Sequence, residues 1–198
     1  MSRTRQAGFS DRTPMRPAAV WLVWWIGVAI LGGCDSRPRA PVLRTSPVYR
    51  NPDEGFRFLV PDGWIQQANS VLPRGKLEGE TFLVRYRLRS PEPGATLQIV
   101  CFDPSLTDDL AKHHAGPSYR VERWKPAEES AEETIQINGV PAERFVYTAM
   151  TSGRSMTKEV VCFRKNERMY CFVGLFWSSD DKAREQIRRA VDSTIWES

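Results

Sequence analysis

The sequence predicts an α+β fold: an antiparallel β-sheet with flanking helices, ending in an amphipathic C-terminal helix. Three observations carry this. Apolar residues recur with period two over most of residues 55–177, turn residues separate the runs, and the closing segment has a helical stripe instead.

The first run, Gly55-Phe56-Arg57-Phe58-Leu59-Val60, places Phe56, Phe58 and Val60 on one strand face. Pro61-Asp62-Gly63 ends it, because Pro presets φ and Gly tolerates positive φ. Trp64–Gln67 reads as a short return strand, followed by a long insert, Ala68–Glu80. Phe82–Arg89 is the clearest alternation: Phe82, Val84, Tyr86 and Leu88 face one way, and Arg85, Arg87 and Arg89 the other. Pro91, Pro93 and Gly94 turn the chain into a strand over 95–102.

A short helix follows, with Ser105 as candidate N-cap, Asp108 three residues later and Gly116-Pro117 as the stop. Tyr119–Trp124 reads as a strand, and Glu128, Glu129, Glu132 and Glu133 as an acidic loop. Thr134–Ile137 and Ala142–Ala149 flank Asn138-Gly139, a strong hairpin signal because both turn residues tolerate positive φ. Lys158–Arg164 and Arg168–Trp177 form the last hairpin. If its loop is Asn166-Glu167, Cys162 faces Cys171 at a non-hydrogen-bonded position, where strands approach most closely. The closing helix spans about Ser179–Ile195, with Asp180 and Asp181 at its positive end. Ala183, Ile187, Ala190, Val191 and Ile195 form its apolar stripe.

The N-terminus has a different composition. Arg3, Arg5, Arg12 and Arg16 precede an apolar run from Val20 to Leu31, then Leu31-Gly32-Gly33-Cys34. A basic region, a short apolar run and small residues before a cut site make an export signal. The run is shorter than the roughly 20 residues a spanning helix needs. Leu31, Gly32, Gly33 and Cys34 resemble the lipobox of bacterial lipoproteins. That resemblance implies removal of residues 1–33 and lipid on Cys34, anchoring the chain outside the cytoplasm. Asp35 resembles the inner-membrane retention signal of enteric lipoproteins, and the choice of inner or outer membrane stays open. Residues 34–50, rich in Pro and Arg, read as a semi-extended tether, leaving 51–198 as one domain.

Charge follows the same division. The chain has 28 Lys and Arg against 24 Asp and Glu. Residues 1–33 hold four of the bases and one acid, leaving 24 against 23. The domain itself is thus nearly neutral, and nothing in its charge points to nucleic acid.

Residues 55–64, the Ile137-Asn138-Gly139-Val140-Pro141-Ala142 hairpin and the closing strand plus helix together resemble the PsbP-like family over roughly residues 50–197. The likeness implies an accessory or assembly role beside a membrane complex, with a protein partner and no catalysis. It supplies no functional residue to match.

Candidate chemistry is sparse. No phosphate loop, dinucleotide fingerprint, zinc-protease motif, calcium loop or nucleophile elbow is present. No cofactor and no metal set are indicated. Cys162 and Cys171 are a candidate disulfide, with two buried thiols the alternative. Cys101 alternates with Leu97 and Ile99 as a small core residue. His113-His114 cannot easily grip one ion together, since adjacent helical side chains diverge by about 100°. Arg85, Arg87 and Arg89 form a ridge about 14 Å long, facing an anionic partner or acidic neighbours on an open sheet face. The leading functional expectation is a non-catalytic, membrane-tethered accessory domain that binds a protein partner; the alternative is a lipoprotein that binds a small ligand or ion. A deep pocket with perturbed titratable groups would favour the alternative.

Overall fold

The computed structural model describes residues 47–67, 79–89, 94–127 and 132–197. The export signal, the lipobox Leu31-Gly32-Gly33-Cys34, the tether up to residue 46, most of the Ala68–Glu80 insert, Pro91, Pro93, Glu128 and Glu129 lie outside them. Among the described residues no helix is long and apolar enough to cross a membrane.

The strands are β1 (Val48–Asn51), β2 (Phe56–Leu59), β3 (Trp64–Gln67), β4 (Thr81–Leu88), β5 (Thr96–Phe102), β6 (Lys125–Pro126), β7 (Glu132–Ile137), β8 (Val140–Thr151), β9 (Arg154–Lys165), β10 (Arg168–Trp177) and β11 (Ile195–Trp196). Helix α1 spans Leu110–Ala115 and α2 spans Asp181–Asp192. A large antiparallel sheet runs β3-β4-β5-β10-β9-β8-β6, with β7 also on β8; a small one runs β1-β2-β11. This is the α+β architecture read from the sequence.

Three successive two-residue turns build the β7–β10 meander. Asn138-Gly139, Ser152-Gly153 and Asn166-Glu167 all have positive φ at both residues, the signature of type I′ turns. Asn166-Glu167 adopts it without glycine, at φ 50° and 59°. The ladder then pairs Lys165 with Arg168 and Cys162 with Cys171, the register that a two-residue loop dictates.

Both faces of the central strands are buried. On the first, Phe56 and Phe58 of β2 meet Phe172 and Tyr170 edge-on, and α2 lies alongside with Ala183, Ile187, Ala190 and Val191 inward. Asp180 caps α2 by accepting from Ala183 N at 2.9 Å. Asn138 Nδ2 ties the far end, donating to Asp192 O at 3.0 Å and Thr194 O at 2.7 Å. On the second face, Phe102, Phe145, Tyr147, Val160 and Val173 are covered by α1 and by Val121 and Trp124.

Several expectations are corrected. The helix cap is Asp109, accepting from Lys112 N at 2.8 Å; Ser105 sits in a separate 3₁₀ turn, Pro104–Leu106. Tyr119–Trp124 is not a strand: Tyr119 and Arg120 have φ 56° and 64° and make a tight turn closed by the Ser118–Val121 bridge. Ile195 leaves the helix stripe, because Ser193 ends α2 and Ile195 joins β11, 43% exposed. Val48–Arg50, read as tether, belong to β1. A bulge between Phe82 and Val84 inserts one residue into β4, so Phe82 turns away from Val84 and Tyr86 and joins the second face.

Candidate functional site

The second face holds a cavity of about 560 Å³ between β4, β5, β10 and the chain from α1 to the Tyr119 turn. Phe82, Val100 and Val173 give it apolar walls. Its polar lining includes the basic Arg85, Arg120 and Lys158, the acidic Glu80, both histidines, and Gln98, Ser118 and Tyr119.

The β4 bulge decides how Arg85 meets this space. By moving Phe82 onto the same face, it sets the guanidinium 5.9 Å from the Phe82 ring centre. Opposite, on β5, Gln98 is 5% exposed. Gln98 Oε1 accepts from Arg85 Nε at 3.1 Å and also from its terminal NH2, while Gln98 Nε2 donates to the Tyr119 hydroxyl. One buried amide therefore holds the arginine and the tyrosine at once. Burial makes Arg85 less basic than usual, and burial raises the Tyr119 hydroxyl pKa. The Glu80 carboxylate lines the same cavity.

Lys158 lies deeper, 1% exposed. Its ammonium donates to the His114 carbonyl and to Ser118 Oγ at 3.2 Å, and sits 4.6 Å from the Trp124 ring and 5.2 Å from that of Tyr147. Trp124 Nε1 donates to the same Ser118 Oγ at 2.8 Å, so the hydroxyl couples the two.

Beneath α1, His114 Nε2 is 3.7 Å from Cys162 Sγ. Cys162 and Cys171 have Cα atoms 4.2 Å apart, and their sulfurs are in disulfide contact. Cys101 is on the other face. Its sulfur accepts from Arg168 NH2 at 2.9 Å, and Arg168 NH1 lies 2.8 Å from both oxygens of Glu54, which also accepts from the Tyr170 hydroxyl at 2.8 Å. Burial pushes the Cys101 thiol up to about 11, so at neutral pH it is protonated and a poor nucleophile.

The structure separates the predicted arginine ridge. Arg87 and Arg89 are exposed, but Arg85 is half-buried in the cavity wall. The open sheet face expected there is closed at Arg85 by the Tyr119 turn. The His113 and His114 rings meet edge to face with centroids 4.8 Å apart, and His114 is the one grouped with the cysteine pair. The roles of Gln98, Tyr119 and Lys158 escaped the sequence reading. The one available signal was a lysine and a glutamine inside strands otherwise apolar on both faces.

No protein-family model matches the chain, and no curated protein matches it. Among solved structures it is similar to CyanoP, the cyanobacterial PsbP of Synechocystis sp. PCC 6803. That similarity has a TM-score of 0.56 and 12% identity, over 79% of this chain and 96% of that one. It is also similar to LpqN of Mycobacterium tuberculosis, described as involved in cell envelope biogenesis, at a TM-score of 0.46 and 11% identity over 72% and 83% of the two chains. The CyanoP likeness shows a PsbP-like fold, as the sequence motifs implied.

Proposed function

We propose that this chain is a non-catalytic, lipid-tethered domain on the extracytoplasmic side of a membrane, and that it binds a small anionic ligand in the Arg85 cavity. The anchor reading rests on Leu31-Gly32-Gly33-Cys34 and the short apolar run before it. The binding reading rests on Arg85: a half-buried guanidinium in the wall of a cavity, held there by the neutral amide of Gln98. Anions are the natural complement of such a donor. At about 560 Å³ the space is of ligand size, and Phe82, Val100 and Val173 suit an apolar body behind the anionic group. The cavity thus moves the weight from a protein partner to a small ligand. The protein-partner reading keeps one support, the exposed pair Arg87 and Arg89.

The test is native mass spectrometry of the full chain extracted from its own membrane in detergent. The expected species starts at Cys34 with added acyl mass and carries a co-purified organic anion. Arg85→Gln should lose that anion, whereas Arg87→Gln with Arg89→Gln should retain it. Retention in Arg85→Gln overturns the cavity assignment, and a chain without acyl mass overturns the anchor.

A further inference from the structure

We propose that the dithiol form of Cys162 and Cys171, together with Nε2 of His114, binds one thiophilic d10 cation, Cu(I) or Zn²⁺, in a Cys2His site beneath α1. The three ligand atoms lie within 4.8 Å of one another, and all three residues are buried. They come from α1, β9 and β10, so no CxxC spacing announces them. Metal–sulfur and metal–nitrogen bonds of about 2.3 and 2.0 Å put sulfur and nitrogen about 3.5 Å apart around a tetrahedral ion. The observed His114 Nε2 to Cys162 Sγ separation is 3.7 Å. Cross-strand cysteines at the close type of ladder position present both sulfurs on one face, and opening the bridge lets them spread without moving the hairpin.

A structural disulfide needs two cysteines and nothing more. Here an imidazole is also brought into the apolar cluster, 6% exposed, with its nitrogen toward the sulfur. His114 also lines the cavity, which supplies an entry path and room for a fourth ligand. Two thiolates and Cu(I) leave one net negative charge, and the Lys158 ammonium on the His114 carbonyl places a positive charge against the same helical turn. The bridged and metal-bound forms exclude each other. A dithiol opens the bridge by giving two electrons and two protons and becoming a disulfide itself. A phosphine gives the two electrons, and one water supplies the two protons and the oxygen of the phosphine oxide. Metal entry then releases the two thiol protons.

The experiment uses the full chain in detergent with Cys101→Ser, which removes the third thiol of the domain, reduced by a phosphine under argon. Co²⁺ serves as the spectroscopic probe, and Zn²⁺ and Cu(I) are titrated separately against chromophoric chelators. One equivalent of Co²⁺ should give sulfur-to-cobalt charge-transfer and tetrahedral d–d bands, and bound metal should shield both thiols from alkylation. Cys171→Ser and His114→Gln should each weaken binding by about 100-fold or more. X-ray absorption of the unsubstituted protein should find two sulfurs and one nitrogen: three-coordinate with Cu(I), four-coordinate with an added oxygen for Zn²⁺. Air-oxidised protein, with the 162–171 bridge verified by non-reducing peptide mapping, should bind none. Absence of cobalt–thiolate bands, fewer than two sulfurs in the absorption spectrum, or undiminished binding after bridging overturns the proposal. The absorption measurement decides the matter even if a variant fails to fold.

Discussion

Arg85, Arg87 and Arg89 share one strand face by sequence, yet their environments diverge within two residues. Arg87 and Arg89 reach water. Replacing both with Gln should shift stability by no more than about 0.5 kcal/mol, as for most surface substitutions. Arg85 is different, because Gln98 is buried and spends its carbonyl on the guanidinium. Arg85→Gln strands that acceptor, at about 1–3 kcal/mol. Urea midpoints of the single and double variants check the split. Equal midpoints for Arg85→Gln and Arg87→Gln would contradict the buried pairing. Alternation marked the three side chains as a set; the turn at Tyr119, which covers only the first, is a non-local event invisible in the local pattern.

At the scale of elements, α2 packs closely on β10 at one glycine. Gly174 lies under Ile187: a Cβ at Gly174 would stand 2.7 Å from the Ile187 Cγ2 and 3.2 Å from its Cδ1. The glycine is there for close approach. Gly174→Ala must push the helix outward and should cost about 1–3 kcal/mol by overpacking. Ile187→Ala empties the same contact and should cost about 2–5 kcal/mol, since Ile187 is 2% exposed. The double variant should recover part of the Gly174→Ala loss, because the new methyl enters the vacated space. Strictly additive losses in urea unfolding would show that the two residues do not share one contact. The helix stripe was legible from period and charge. Its glycine partner was not, since a lone Gly inside a strand announces close approach without saying to what. The β4 bulge was hidden for a related reason: Phe82-Leu83-Val84 is apolar throughout, so period two could not show which residue was extra. Asn166-Glu167 was a weak turn by composition, and the ladder on either side of it overrides the missing glycine.

For the whole molecule, burial of ionisable groups on the first face makes the fold sensitive to alkali. Burial pushes the Cys101 thiol from 9.0 up to about 11, and the Tyr86 and Tyr170 hydroxyls from 10.0 up to about 12. Each group is neutral below its pKa, and the fold favours that neutral form. Their contribution is therefore fully present below the unfolded values and disappears as pH rises through the folded ones. The urea midpoint should hold level up to about pH 9 and fall from there toward pH 12. A midpoint unchanged across that range would contradict the burial of these groups. Tyr170 is further tied to Glu54, whose charge opposes phenolate formation, so Tyr170→Phe should flatten the upper part of the fall.

What the sequence by itself determined is what depends on near neighbours along the chain. Strand periodicity, the Asn138-Gly139 turn, the α2 stripe and the charge division at residue 33 are all local patterns, and the α+β class follows from them. The cysteine register also counts as local, since two strands joined by a two-residue turn fix their own pairing. The tertiary structure alone decided which faces are covered. It folded Tyr119–Trp124 over the second face as an irregular cap and enclosed Arg85 between Phe82 and Gln98. It also brought His114 across 48 residues to Cys162. These are contacts between segments with no shared period. They follow from the need of a sheet apolar on both faces to bury both, a demand on the folded whole that no window of sequence expresses.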